Sequence, residues 1–294
     1  MTDKTKHFTC RRAAVFSDLH SNYHAFRTCY EDAKSHGSDL FIFLGDYISD
    51  LADPVKTLDL VYEIQKQYPV VFLRGNRERY MLECDAGITA FTRGSKSGSL
   101  LYTFERLRPQ DLNFFRDLPI YDRIEINGVS FELAHAFKTD DRCYFEGGDE
   151  RIAGIFSQME ASYLLTGHSH RQYVQKLQCK TIINPGSVGV PVGVRGLAQY
   201  ALLDIHDQRA DYLLRSVPFD LASVVHAQFD SGLKEYAKYW AISILYDVIT
   251  GEERTMKLLE TVSRIGDVQD EGNWRKAAMA MDMKLTAKEL IEII

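Results

Sequence analysis

Apolar positions in the first third of the chain fall in short unbroken blocks separated by amphipathic stretches. Ala13–Phe16, Leu40–Leu44 and Val70–Leu73 are such blocks. Runs of this length without polar alternation mark strands buried on both faces. The stretches between them predict helices over 22–35 and 54–67, the first ended by Gly37 and the second opened by Pro54. Proline suits the first helical position, where its missing N–H is no loss. Strand, helix, strand, helix, strand is the order of an α/β unit.

The pattern then changes. Ile120–Ile126 and Val129–Ala134 flank Asn127-Gly128, the residue pair that a type I′ hairpin turn favours. Further strands are predicted at Tyr163–Thr166, Val174–Leu177, Thr181–Asn184, Gln199–Ile205 and Ala210–Val217. A βα half followed by a β-rich half implies two packed sheets with helices outside. After Phe219 the strand signal stops. Tyr236, Trp240, Ile244, Leu245, Val248 and Ile249 fall on one helical stripe. Thr250-x-x-Glu253 and Thr286-x-x-Glu289 each read as a capping box. The chain therefore divides into a core over 1–218 and a helical appendage over 219–294. The appendage is expected to pack on the core or to form a homo-oligomer contact.

Composition narrows the function. The chain has 294 residues, 45% of them hydrophobic, which is enough for a full core. Lys and Arg number 35 against 41 Asp and Glu, a net charge of −6. That sign counts against stable nucleic-acid binding, which runs on cations neutralising phosphates. No stretch approaches the ~20 apolar residues of a membrane span. The polar N-terminus has no signal-peptide pattern. The cysteines (Cys10, Cys29, Cys84, Cys143, Cys179) are scattered without a Cys-x-x-Cys pair. They read as small buried hydrophobes in a reducing cytoplasm.

The chemistry sits where the strands end. Asp18 and His20 follow the first apolar block, Asp46 the second and Asn76 the third. His135 follows the hairpin, and His168 and His170 follow the strand at 163–166. In open sheets the C-terminal ends of the strands form the ligand crevice. Packing does not explain oxygen and imidazole ligands at one strand end after another. Mixed imidazole, carboxylate and amide donors suit two manganese, iron or zinc ions more than calcium or magnesium. No thiolate stands near these motifs, which argues against a structural zinc site.

The series Ser17-Asp18-Leu19-His20, Gly45-Asp46, Gly75-Asn76, His135 and Gly167-His168-Ser169-His170 resembles the calcineurin-like metallophosphoesterases. Asn184-Pro185-Gly186-Ser187 is similar to a loop near the end of the core in their small bacterial and archaeal phosphodiesterase branch. The resemblance covers roughly residues 10–217. It implies an α/β fold, a four-layer αββα sandwich of two mixed sheets flanked by helices, here with a C-terminal helical extension. It also implies that Asp18, His20 and His170 hold one metal, that Asn76, His135 and His168 hold the other, and that Asp46 bridges. A bridging hydroxide would then attack phosphorus in line. Manganese is the first expectation, with iron, zinc or nickel as alternatives.

One departure matters. Many family members have His after Gly-Asn, where it protonates the leaving group; here the run is Gly75-Asn76-Arg77-Glu78. Arginine stays protonated and cannot serve as a general acid, but its fork can clamp a phosphate. Arg77 and His135 are the candidate catalytic residues. The expected substrates are small phosphodiesters or phosphoanhydrides whose leaving groups need little protonation. Diadenosine tetraphosphate, cleaved by some relatives that lack the same His, leads. A protein-binding scaffold on the same fold is the alternative. Around the ligands, Asn22 is expected to cap the first helix and Tyr47 to shape the pocket. His24, Arg171 and Arg195 are expected at the surface, and Arg74 and Glu78 as a solvated pair.

Overall fold

The computed structural model describes residues 5–137, 145, 147, 148 and 150–294. A short strand that the sequence did not suggest, Lys6–Phe8 (β1), precedes the first apolar block, Ala13–Phe16 (β2). There follow helix Tyr23–Ser35 (α1), strand Leu40–Phe43 (β3), helix Pro54–Gln67 (α2) and strand Val70–Phe72 (β4). Three further helices, Asn76–Asp85 (α3), Gly98–Phe104 (α4) and Pro109–Asp117 (α5), lie where no element was expected.

Tyr121–Ile126 (β5) and Val129–Ala134 (β6) form the predicted hairpin. Asn127 and Gly128 both take positive φ, 49° and 80°, as a type I′ turn requires. Helix Ile152–Gln158 (α6) and strands Tyr163–Thr166 (β7), Gln172–Leu177 (β8), Lys180–Pro185 (β9), Leu197–His206 (β10) and Arg209–Pro218 (β11) complete the β-rich part.

Two mixed sheets result, with orders β1-β5-β6-β7-β9-β8 and β11-β10-β2-β3-β4. The parallel neighbours β2, β3 and β4 of one sheet, and β6, β7 and β9 of the other, each end on the same side. Every predicted ligand stands just beyond one of these ends.

Alternation along the strands makes the layers. Val15 and Ile42 meet Phe131, Leu133, Leu165 and Ile183 of the opposite sheet. Their neighbours Phe16 and Phe43 turn the other way onto Phe26, Leu58 and Val61 of α1 and α2. Ile152, Ile155 and Phe156 of α6 cover Leu164 and Ile182 on the outer face of the six-stranded sheet. Helix, sheet, sheet, helix is thus a direct product of period-two side-chain placement on strands buried on both faces.

After β11 come five helices: Leu221–Asp230 (α7), Lys234–Thr250 (α8), Arg254–Ile265 (α9), Glu271–Ala280 (α10) and Ala287–Ile291 (α11). Their apolar side chains form a cluster of their own, joined by Leu51 and Val190 from the ligand loops. Helix α8 does not carry a single buried stripe. Every residue from Tyr239 to Ile249 is buried, because α4, α7, α9 and α10 enclose it. The helix breaks at Ala237 (φ −154°), and the Tyr236 carbonyl this frees accepts the Gly94 N–H at 2.7 Å.

The capping box at Thr286 and Glu289 forms. The one expected at Thr250 does not. Thr250 ends α8 and donates its hydroxyl to the Tyr246 carbonyl, and α9 starts after Glu253. Among the described cysteines Cys10 and Cys29 are buried as expected. Cys84, near the end of α3, is half-buried, and Cys179, in the turn between β8 and β9, is exposed. Cys143 lies outside the described residues.

Candidate metal centre

The loops that follow β2, β3 and β7 turn abruptly, and the predicted ligands make the turns. Asp18, His20, Asp46, His168 and His170 all have left-handed backbone, with φ of 54°, 46°, 56°, 65° and 57°. Each such non-glycine residue costs roughly 1–3 kcal/mol. The strain is held by hydrogen bonds that continue past the strand ends: Asp18 N to Gly45 O at 3.0 Å and His20 N to Asp46 O at 3.0 Å. Glycine is required where the loops touch. A Cβ on Gly75 would lie 2.2 Å from Asp46 Oδ1, and one on Gly167 would lie 1.9 Å from Ser17 Oγ.

The loop at 184–187 braces the whole. Asn184 Nδ2 donates to Gly167 O at 2.8 Å, and Ser187 Oγ donates to Asp18 O at 2.8 Å. Ser17 Oγ and the His168 N–H both donate to Asp18 Oδ2, at 2.6 and 3.0 Å. The second of these joins the two sheets.

The donor atoms form two adjacent groups, Asp18, His20 and His170 in one, and Asp46, His135 and His168 in the other, each with its atoms within 4.8 Å of one another. His20 Nε2 lies 3.0 Å from His170 Nε2. His135 Nε2 lies 3.1 Å from Asn76 Oδ1 and 3.5 Å from Asp46 Oδ2. Asp46 Oδ2 is also 3.7 Å from His20 Nε2, so this carboxylate faces both groups.

The tautomers follow from the outer partners. His135 Nδ1 contacts Leu44 O at 2.9 Å, and His170 Nδ1 contacts Val190 O at 2.7 Å. Carbonyls only accept, so each Nδ1 carries a proton and each Nε2 points inward as the atom left to hold a proton or a cation. His20 Nε2 and His170 Nε2, 3.0 Å apart, repel unless a proton or a cation lies between them. Asp18 Oδ1 is buried with no hydrogen-bond partner, and His170 Nε2 is 3.4 Å away. An orphaned carboxylate oxygen facing converging imidazole nitrogens fits a divalent cation.

Protonation shows the same tension. Burial raises and the nearby imidazoles lower the Asp18 pKa, and the imidazoles win, bringing it to about 2. Asp46 moves well below the carboxylate range for the same reason. Burial opposes charging His135, but Asp46 and then Asp18 outweigh it and lift the pKa to about 10. His168 falls to about 4 through burial and the neighbouring His135. Carboxylates thus favour a proton on His135 and His170, while burial disfavours one on His20 and His168.

Two residues that the sequence reading missed complete the centre. Glu78, expected in a solvated pair, is fully buried. It accepts N–H bonds from Gly75 and Asp46 on one oxygen and from Tyr47 on the other, at 2.8, 2.9 and 2.8 Å. It ties the loops after β3 and β4 together, which its polar neighbours in sequence gave no sign of. Asp50, also buried, lies 3.2 Å from His20 Nδ1 and 3.0 Å from Arg77 Nη2. Arg77 turns into the site, with Nε 3.8 Å from Asp46 Oδ2.

Tyr47 does not shape a pocket. It is buried in the core, and its hydroxyl donates to Leu73 O at 2.8 Å. Arg171 and Arg195 are held by the appendage, through Glu253 at 2.6 Å and Ile293 O at 2.5 Å. His24 is only partly exposed, 4.0 Å from Asp53. Asn22 caps α1 as expected, accepting the Ala25 N–H at 3.2 Å.

A β-sandwich that gathers carboxylate, amide and imidazole donors at the strand ends of both sheets is the architecture of a metal-dependent phosphoesterase. The chain belongs to the calcineurin-like phosphoesterase superfamily, whose domain profile matches residues 12–208. An uncharacterized protein of Methanocaldococcus jannaschii is 23% identical over 240 residues, which cover 76% of this chain and 94% of that one. Two crystal structures share the fold. A hypothetical protein from Pyrococcus horikoshii OT3 has a TM-score of 0.68 at 17% identity, covering 84% of this chain and 100% of the other. A metallophosphoesterase from Sphaerobacter thermophilus has a TM-score of 0.64 at 20% identity, covering 82% and 98%.

Proposed function

We propose that this chain is a two-metal phosphoesterase for the phosphodiester or phosphoanhydride bonds of small nucleotide-type substrates, with diadenosine tetraphosphate the leading candidate. The observation that carries the reading is the pair of adjacent ligand groups with the Arg77 guanidinium turned in beside them. Asp18, His20 and His170 hold one divalent ion, Asn76, His135 and His168 hold the other, and Asp46 serves both. Manganese comes first, with iron, zinc or nickel as alternatives. When bound, the ions polarise the phosphoryl group and acidify the attacking water.

The chain's own residues set the choice of bond. Arg77 binds phosphate oxygens with its fork and balances their charge, but it has no proton to give. Glu78 spends both oxygens on backbone N–H groups and cannot reach a leaving group. His135 acts as a ligand through Nε2, its Nδ1 proton being held by Leu44 O. With no general acid at Gly75–Glu78, an aryl oxide or a nucleotide polyphosphate leaves far more readily than an alkoxide. Residues 1–218 form the catalytic core and 219–294 the appendage. Among the described residues no helix is long and apolar enough to cross a membrane. The free cysteines accord with a reducing cytoplasm.

The test uses protein stripped by chelator and reloaded with manganese. It is given an aryl phosphodiester, a 2′,3′-cyclic nucleotide and diadenosine tetraphosphate, and products are separated by chromatography. Metal-dependent cleavage is expected, and the split of the tetraphosphate into two ADP or into ATP and AMP identifies the phosphorus attacked. Two bound ions with no cleavage of any of the three overturns the enzyme reading in favour of a scaffold.

A further inference from the structure

We infer that Asp50 is a positioning residue for His20 and Arg77, and that Trp240 of the C-terminal appendage fixes Asp50 in place. The inference rests on reading Asp18, His20 and His170 as a metal-binding group. His135 and His170 lean on main-chain carbonyls, Leu44 O and Val190 O. His20 Nδ1 makes no hydrogen bond and instead lies 3.2 Å from a carboxylate oxygen, Asp50 Oδ2, as an ion-pair contact. A carbonyl is fixed by the fold, whereas a carboxylate must be fixed by something else.

For Asp50 that something is a shell drawn from distant parts of the chain. Its Oδ1 accepts the Trp240 indole N–H at 2.9 Å, across 190 residues of sequence, and the Ser99 hydroxyl at 3.2 Å. Its Oδ2 accepts the Ser49 hydroxyl at 3.1 Å and pairs with Arg77 Nη2 at 3.0 Å. Its main-chain oxygen accepts Gln228 Nε2 at 3.1 Å. Ser49 and Asp50 both take left-handed backbone, φ 82° and 68°, which turns the carboxylate inward.

The consequences follow from where each oxygen points. With Oδ1 held by Trp240 and Ser99, Oδ2 is aimed between His20 and Arg77. The negative Oδ2 beside Nδ1 favours a proton there and leaves Nε2 toward Asp18. The same oxygen pairs with the Arg77 guanidinium until a phosphate oxygen competes for it. Carboxylates behind a ligating imidazole change metal affinity 10–100-fold. The appendage is therefore part of one metal group and not of the other.

Calorimetric manganese titrations of the full chain and three variants test this. Trp240→Phe is expected to weaken one of the two manganese sites about tenfold and to leave the other unchanged, and Asp50→Asn to weaken that same site by up to about a hundredfold. Trp274→Phe is the control. Trp274 packs against Trp240 in the same cluster but donates its indole N–H to Val268 O, so both sites are expected to keep their affinity. Equal weakening by Trp240→Phe and Trp274→Phe, or none by Trp240→Phe, overturns the inference.

A second arm needs no metal. The chain has two tryptophans, hence two indole N–H signals in a ¹⁵N spectrum. In metal-free protein Asp50→Asn is expected to shift the Trp240 signal, and Trp240→Phe to move the His20 ring nitrogens away from a pure Nδ1–H pattern. Unmoved His20 nitrogens in Trp240→Phe overturn the positioning role. A wild-type protein that takes up no manganese overturns the metal reading by itself, and the metal-free spectra still decide this inference.

Discussion

The two ligand groups use the same kinds of side chain but are supported from different places. The group of Asp46, His135 and His168 rests on the core. Leu44 O orients His135, and buried Glu78 gathers the N–H groups of the loops that carry Asp46 and Asn76. The group of Asp18, His20 and His170 rests partly on the appendage, through Trp240 and Asp50 on one side. On the other side lies the His170 loop, where Gly193 N meets Gly251 O at 2.8 Å and Arg171 meets Glu253. One half of the centre is therefore as rigid as the sandwich, and the other is only as well placed as the docking of the C-terminal helices.

The change with the largest expected effect breaks the comparison by removing the shared residue. Asp46→Asn is expected to lose both ions together and to lower turnover roughly a thousandfold, the scale on which preorganised electrostatics act. Metal content and rate are measured on the same sample, and two ions at undiminished affinity would remove Asp46 from its bridging role.

Next comes a test of the appendage alone. Asp247, at the end of α8, is pushed up to about 7 by burial, although it accepts the Arg254 and Thr255 N–H groups. The native state binds this proton more tightly than the unfolded chain does. Its contribution to stability is therefore full below about pH 4 and is lost as pH rises to about 7. Asp247→Asn keeps an acceptor without the charge. It is expected to stabilise the protein at pH 8 by roughly 2–4 kcal/mol and to change little at pH 4. Urea unfolding at the two pH values measures the difference, and equal effects at both would refute the burial argument.

Glu78→Gln acts on the core-held group. One amide N–H of the new side chain must face a backbone N–H, a loss of roughly 1–3 kcal/mol. Manganese binding at the Asp46 group is expected to weaken more than at the Asp18 group, the reverse of the pattern for Trp240→Phe. The smallest change is Arg77→His. It restores a possible proton donor and is expected to raise turnover of poor-leaving-group diesters, relative to aryl diesters, by roughly tenfold. An unchanged ratio would mean that residue 77 does not reach the leaving group.

What the sequence disclosed, and what it hid, follows the range of the interactions. The gathering of Asp18, His20, Asp46 and His168 at strand ends was legible because each follows an apolar strand block within a few residues. The Asn127-Gly128 turn and the Asn22 cap were legible for the same local reason. Glu78 was misread because three backbone N–H groups from folded loops, not its polar neighbours, decide its environment. Asp50 was invisible because its partner is an indole at position 240. Helices α3 to α5 were missed because 76–117 has no long apolar period. The stripe in α8 was misread because four helices enclose it, so no face is left polar.

The hydrogen bond from the His168 N–H to Asp18 Oδ2 joins residues 150 positions apart and on different sheets. No chain with only one sheet formed contains either ligand group whole. Long-range closure of this kind makes folding slow. It also means that the centre exists only once both sheets are in place. A cation then has no complete group to grip until the two sheets meet. Each ion bound by the closed sandwich therefore stabilises the folded molecule over any chain in which the sheets have parted.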